Sequence, residues 1–235
     1  GEQFSQAVEA YRAGTIHGVE LYHNAAVPLD YAALSLLQSL PVSIHNTHDR
    51  GFHEFLLEKE QIDIFEKSKQ LADFFHSDVI VVHPGQAHTF ASFEQELKKI
   101  DDPRIRIENM AGLDIFKQEM FGQLLPDLKK IAELRPICFD FEKAVKAAVQ
   151  QKLDYKTYIS DCLTVLQPTY FHLSGGDASH AVDEHTHLWD SNIDMAWIKQ
   201  TLTTYAKDKV VRLVFETPKH SEQDDQKNIS YFASL

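Results

Sequence analysis

Six short apolar segments of the chain end in a side chain that can bind a metal ion or transfer a proton. These residues are His45, His83, Glu108, Asp140, His172 and Glu216. If the fold gathers them, imidazoles and carboxylates repel one another or lose their solvation unless a cation neutralises them. Mixed histidine and carboxylate ligands suit Zn²⁺, Mn²⁺ or Fe²⁺ without selecting one of the three. The pattern predicts a centre for divalent metal.

A seventh element with the same chemistry is Asp183-Glu184-His185, in a polar stretch that we expect to be a loop. In an extended segment, alternate side chains point to the same face. Asp183 and His185 can therefore offer two ligands to one ion.

The sequence contains seven segments that are rich in β-branched and apolar residues, and the six side chains lie at the ends of the second to the seventh. The predicted strands are Gly18–His23, Pro41–His45, Val79–His83, Arg104–Asn109, Pro136–Phe141, Tyr170–Leu173 and Arg212–Glu216. Each is of ordinary strand length, and nearly continuous hydrophobicity is typical of parallel strands that are buried on both faces. Helical apolar stripes separate them, as at Leu124, Leu128, Ile131 and Leu134. Alternating strands and helices predict a parallel barrel, in which all strand ends meet at one mouth.

A closed barrel of this type has eight strands, whereas seven are visible in the sequence. The chain opens on a helical pattern formed by Phe4, Ala7, Val8 and Tyr11. The missing strand would therefore be the first. Either it precedes the given sequence or the barrel is incomplete. The expected fold is an α/β protein, a (β/α)8 TIM barrel lacking its first strand, formed by residues 1–235 as one domain.

Composition narrows the function classes. The formal net charge is −12, and Lys and Arg are scattered rather than clustered, which disfavours a grip on a DNA backbone. No apolar run is long enough to span a membrane. The two cysteines, Cys138 and Cys162, leave little room for a disulfide framework, so we expect a reducing cytoplasm.

Four motifs resemble the signature of endonuclease IV (AP endonuclease family 2), in the same order and at similar spacings. They are His83-Pro84-Gly85, the run Ile-Glu-Asn-Met-Ala-Gly at 107–112, Asp183-x-His185 followed by Asn192-Ile193, and Glu216-Thr217-Pro218. The resemblance extends from about Gly18 to the C-terminus and implies the xylose isomerase-like TIM barrel fold.

The resemblance also implies a cluster of two or three zinc ions. His45 and His83 would hold the first ion, and Glu108 would bridge it to the second. Asp140, His172 and Glu216 would complete the second site. Asp183 and His185 would belong to the third, and His48 is a rival to His45.

The sequence departs from the family pattern at Lys143, where a third-site histidine would stand. An ammonium must lose its proton before it can bind a metal, so the third site is compromised. Lys143 either pairs with Asp183 in place of the lost cation or faces solvent at the start of the next helix.

Two chemistries remain open on this scaffold. One is hydrolysis of a phosphoester, with Glu108 bridging two ions. The other is isomerisation or epimerisation of a sugar, with one Mn²⁺ or Mg²⁺ held by Glu108, Asp140, His172 and Glu216, and with Glu108 and Glu216 moving the proton. Only 49–52 (Asp-Arg-Gly-Phe) resembles a loop that could enter duplex DNA, so a small phosphoester or other small molecule is the expected substrate. A non-catalytic domain that keeps its metals is a third interpretation.

Overall fold

The computed structural model describes residues 2–23, 27–47, 59–85, 89–114, 116–221 and 223–235. The strands are β1 (Val19–Tyr22), β2 (Val42–His45), β3 (Ile80–Val82), β4 (Ile105–Glu108), β5 (Ile137–Asp140), β6 (Tyr170–Leu173) and β7 (Arg212–Phe215). The α-helices are α1 (Glu2–Arg12), α2 (Tyr31–Leu34), α3 (Lys59–Phe75), α4 (Phe90–Leu97), α5 (Leu125–Leu134), α6 (Phe141–Gln150), α7 (Tyr155–Leu166), α8 (Met195–Tyr205) and α9 (Asp224–Ser234). Two 3₁₀ helices span Ser35–Ser39 and Leu188–Asp190. His48 and the 49–52 loop candidate lie outside the described residues.

The seven strands form one parallel sheet in the order of the chain, β1 to β7. Within the described ranges, β1 and β7 do not pair with each other. The barrel is therefore nearly closed, with a seam where the eighth strand of a complete barrel lies. Side chains beside the seam are exposed, as Tyr22 and Val210 show at 54% and 90%. The predicted fold class is confirmed, including the absence of one strand from the described barrel.

Alternation along the strands separates the core from the barrel interior. Ile105 and Ile107 of β4 point outward and pack with the helices in the main hydrophobic core. Tyr170 of β6 belongs instead to a small apolar cluster, together with Val79, Val81 and Cys138. Polar side chains alternate with the outward-facing apolar ones, so the polar side chains face the barrel axis.

The predicted apolar stripes lie on helices that cover the sheet. Leu128 and Ile131 of α5 and Ile198 of α8 are fully buried against it. Among the described residues, we find no helix that combines the length and apolar character needed to cross a membrane.

Candidate metal centre

Four overlapping groups of potential ligands lie at the mouth of the barrel among the described residues. Two of them also contain Glu20 or Cys138, and the other two consist only of the six predicted strand-end side chains. The first, which we call the carboxylate set, contains Glu108, Asp140, His172 and Glu216. The second, which we call the imidazole set, contains His45, His83 and Glu108. In each set the potential ligand atoms lie within 4.8 Å of one another. The spacing suits metal coordination, as the strand-end pattern predicts.

Glu108 belongs to both sets and is completely buried. Its Oε2 lies 2.7 Å from Nε2 of His83 and 3.3 Å from Nε2 of His45, while Oε1 lies 3.0 Å from Nδ1 of His172. Burial alone would raise the pKa of this carboxyl. The positive charges of Lys143, His172 and His83 outweigh burial and hold the pKa of Glu108 well below its usual range.

Asp140 is the last residue of β5 and the N-cap of α6, because the helix begins without an intervening loop. Its Oδ1 accepts the backbone N–H of Lys143 at 2.9 Å. The Asn109 side chain fixes the strand end, since it donates to the Asp140 carbonyl at 3.0 Å and accepts its N–H at 2.7 Å. Burial, reinforced by the negative charges of Glu108 and Glu216 and opposed by Lys143, raises the pKa of Asp140 to about 6.

Six buried carboxylate oxygens have no hydrogen-bond partner among the described residues. One belongs to Asp114 and two to Glu142, and the other three belong to candidate ligands: Asp140 Oδ2, Asp183 Oδ1 and Glu216 Oε2. Glu216 Oε2 does lie 3.2 Å from His172 Nδ1, a close ionic contact without hydrogen-bond alignment. Buried acceptors of this kind are costly unless something positive approaches them. Two of the three belong to the carboxylate set, so its residues fit a divalent cation.

The position of His172 depends on Glu20 of β1, which strand-end patterns do not single out. Glu20 Oε1 lies 3.1 Å from His172 Nε2, and its Oε2 accepts the Tyr170 hydroxyl at 2.6 Å. Since Nε2 faces Glu20, Nδ1 faces the carboxylate set. The available signal was an acidic residue inside an otherwise apolar strand.

Lys143 faces the mouth, so the solvent-facing alternative is wrong. Its side chain is 2% exposed, and Nζ donates to Glu108 Oε1 at 2.7 Å. Nζ also lies 3.3 Å from His83 Nε2. The ammonium thus pairs with Glu108, and not with Asp183 as the other alternative proposed. Burial lowers the pKa of Lys143, but the charges of Glu108 and Asp140 outweigh it and hold that pKa well above its usual value.

Asp183 and His185 lie on the predicted loop after β6. Their closest side-chain atoms, Asp183 Oδ1 and His185 Nε2, are 3.8 Å apart, and the Asp183 N–H bonds to the Leu113 carbonyl at 2.9 Å. Within the described part of the chain, neither residue joins a group of three potential ligands. With Lys143 turned toward Glu108, the residues present do not fit a third ion at this position.

A second buried ion pair lies further along α6. Lys146 Nζ contacts Glu184 Oε1 at 2.6 Å and Glu142 Oε1 at 3.6 Å, and it donates to the Asp177 carbonyl at 2.7 Å. Neither Glu142 nor Lys146 belongs to the two ligand sets. Sequence reasoning did not identify this pair, because a Glu and a Lys four residues apart usually lie on a solvated helix face.

The mouth opens into a cavity of about 2190 Å³ that continues along the seam between β1 and β7. His45, His83, Lys143, His185 and Glu216 border it. The centre is therefore accessible to a substrate, and cationic as well as acidic side chains line the access.

No protein-family model and no curated protein sequence matches the chain. Solved structures do resemble it. An endonuclease IV from Thermus thermophilus is 20% identical, with a TM-score of 0.74 over 100% of this chain and 94% of that one. A D-tagatose 3-epimerase-like protein is 14% identical, with a TM-score of 0.69 over 96% and 91% of the two chains.

A xylose isomerase domain-containing protein from Salmonella typhimurium is 13% identical, with a TM-score of 0.65 over 100% of this chain and 94% of that one. At these identities the likeness is one of fold. The chain shares the TIM-barrel fold of these proteins, the fold class that its strand and helix pattern predicts.

Proposed function

We propose that the chain is a metal-dependent hydrolase of a small phosphoester. The observation that carries the proposal is the pairing, in one mouth, of unpartnered carboxylate oxygens with a buried ammonium that borders the cavity. Asp140 Oδ2 and Glu216 Oε2 offer negative charge to a metal ion, and Lys143 offers positive charge beside it. An anionic phosphoester gains from both charges, whereas a neutral sugar carries no charge for a fixed cation to offset.

The carboxylate set would hold the ion, which supplies a water of lowered pKa and polarises the phosphoryl group. The chain's own residues would bind the phosphoryl oxygens and protonate the leaving oxygen. An ammonium has three N–H donors, and Glu108 accepts one of those of Lys143. In this proposal another donates to a phosphoryl oxygen. His45 and His83 border the same cavity and can bind further oxygens or give a proton to the leaving oxygen.

Similarity and charge support different parts of this proposal. The likeness to an endonuclease IV supports a hydrolase, and the motifs that resemble that family include five of the eight candidate ligands (His83, Glu108, Asp183, His185 and Glu216). The net charge of −12 opposes tight binding of a DNA duplex. We therefore assign the activity to a small phosphoester, with DNA as the weaker substrate.

The test is hydrolysis of bis(p-nitrophenyl) phosphate and of p-nitrophenyl phosphate by protein loaded with Zn²⁺ or Mn²⁺, beside cleavage of an oligonucleotide duplex with one abasic site. Glu108→Gln is the inactive control. Turnover of the small esters above the Glu108→Gln level supports the proposal. Turnover of none of the three substrates with either metal contradicts it.

One observation favours a second function, isomerisation or epimerisation of a sugar with a single ion. Oε1 of Glu108 and Oε2 of Glu216 lie 3.0 and 3.2 Å from the same atom, His172 Nδ1. The two carboxylates thus lie close together around one histidine nitrogen, and a sugar bound between them would have one carboxylate to remove its proton and one to return it. Deuterium uptake from heavy water into a ketose, lost in Glu216→Gln, would identify this chemistry.

A further inference from the structure

Lys143 Nζ lies between His83 Nε2 of the imidazole set and Oε1 of Glu108, the carboxylate that both sets share. We propose that its ammonium takes the place of one ion, so that the chain binds a single divalent ion in the carboxylate set. The inference rests on the proposed metal-dependent function, and it fixes the number and position of the ions in that site.

The first argument is that the ammonium uses the atoms that a metal would need. His83 Nε2 and the Glu108 carboxylate are two of the three potential ligands in the imidazole set. Lys143 Nζ lies 3.3 Å from that nitrogen and donates to Oε1 of that carboxylate at 2.7 Å, while Oε2 lies 2.7 Å from the same nitrogen. An ion on His83 Nε2 would have to enter this close contact between imidazole, carboxylate and ammonium, so the two cations compete for one place.

The second argument is repulsion at short range. Zn²⁺ binds an imidazole nitrogen at about 2.0–2.1 Å. Since Lys143 Nζ lies 3.3 Å from His83 Nε2, an ion on that nitrogen would stand within about 5.4 Å of the ammonium. Lys143 is buried and its N–H bond to Asp140 anchors it in the first turn of α6, so its backbone cannot retreat far. Two positive centres this close in a poorly solvated site repel strongly.

The third argument is that the carboxylate set retains ligand atoms that Lys143 does not contact. The two unpartnered oxygens in it, Asp140 Oδ2 and Glu216 Oε2, are not engaged by Lys143. The ammonium bonds to Oε1 of Glu108, which also lies 3.0 Å from His172 Nδ1. Glu108 is thus neutralised by the lysine, and Asp140, Glu216 and His172 remain to bind the ion.

The test is ion stoichiometry, measured by isothermal titration calorimetry and elemental analysis with Zn²⁺ and Co²⁺ after chelator treatment. Lys143→Met removes the charge at similar length, and Lys143→His replaces it with a ligand. Lys146→Met is the matched control, because it removes another buried lysine of α6 that contacts neither ligand set. Thermal melts establish that each variant is folded.

We expect one ion in the wild type and in Lys146→Met, and two in Lys143→Met and Lys143→His, with the second binding at least about tenfold tighter than any second ion of the wild type. Two ions in the wild type, bound as tightly as in Lys143→Met, would overturn the inference and leave the metal-dependent function standing. No ion in any variant would instead refute the metal-dependent function and, with it, the inference.

A measurement that needs no variant addresses the case in which Lys143 variants do not fold. Anomalous scattering from wild-type crystals soaked in Co²⁺ should show one peak, among Asp140, His172 and Glu216. A second peak between His45 and His83 would contradict the inference.

Discussion

Glu20 of β1 and His172 of β6 are 152 residues apart in sequence, and their side chains lie 3.1 Å apart inside the barrel. A carboxylate on one ring nitrogen of a histidine orients the other nitrogen toward a metal and increases its basicity. Tyr170, whose hydroxyl donates to Glu20 at 2.6 Å, holds the carboxylate in turn. Glu20 is thus a positioning residue for the carboxylate set.

Replacing Glu20 by Gln should weaken metal binding by about 10- to 100-fold, because the amide no longer fixes His172. Titration calorimetry with Zn²⁺ measures the effect, and Glu94→Gln, which removes an ion pair on the surface of α4, is the control. If Glu20→Gln binds the ion as tightly as the wild type, the carboxylate only balances charge.

Lys143 and Glu108 should show strong coupling in metal-free protein. Glu108→Gln leaves a buried ammonium without its anion, which costs about 3–5 kcal/mol of unfolding free energy. Lys143→Met alone should also lower the free energy of unfolding, whereas the double variant should lose less than the sum of the two single losses. Urea unfolding in the presence of chelator measures this free energy for the wild type, the two single variants and the double variant. Glu108→Gln combined with Lys146→Met should be additive, because Lys146 pairs with Glu184 instead; additivity for Lys143 as well would show that its contact with Glu108 carries no free energy.

Asp140 should make metal-free protein less stable as the pH rises. Its pKa is raised from 3.8 to about 6, so the native state holds this proton more tightly than the unfolded chain does. The stabilisation is complete below about pH 4 and is lost as the pH rises through about 6. Relative to Asp140→Asn, the wild type should therefore lose up to about 3 kcal/mol over this range.

The measurement is urea unfolding at half-unit pH steps in chelator, with exposed Asp208→Asn as the control for loss of one charge. A difference between wild type and Asp140→Asn that is constant from about pH 4 to 7 would contradict the raised pKa. Excess Zn²⁺ should reverse the trend, because the ion needs the ionised carboxylate.

Gly175 should be essential to the loop that carries Asp183 and His185. Gly175 and Thr186 exchange two backbone hydrogen bonds of 3.0 Å that close this loop. A Cβ at Gly175 would collide with the His187 carbonyl oxygen and would stand 2.6 Å from Thr186 Oγ1. Because a backbone carbonyl cannot yield as a side chain does, Gly175→Ala should cost about 1–3 kcal/mol.

Limited proteolysis should locate the damage between residues 175 and 187. Adding Thr186→Ala removes the hydroxyl but not the carbonyl, so the double variant should remain as susceptible as Gly175→Ala. Restoration of resistance in the double variant would show that the side chain, and not the backbone, is the obstacle.

Much of the fold is predictable from local pattern. The seven strands lie within the segments expected from their apolar runs, because burial on both faces selects β-branched residues at consecutive positions. The direction in which the Lys143 side chain points, by contrast, cannot be predicted from local pattern. At the third position of α6, a lysine side chain can reach either solvent or the mouth, and the helix pattern alone does not choose.

The sequence by itself determined the strands, the covering helices and the ligand types at the strand ends, because each depends on neighbours within a few residues. Only the tertiary structure decided that Glu20 supports His172, that Lys143 pairs with Glu108 and not Asp183, and that the seam lies between β1 and β7. These contacts join residues far apart in the chain, and barrel closure fixes which interior side chains meet.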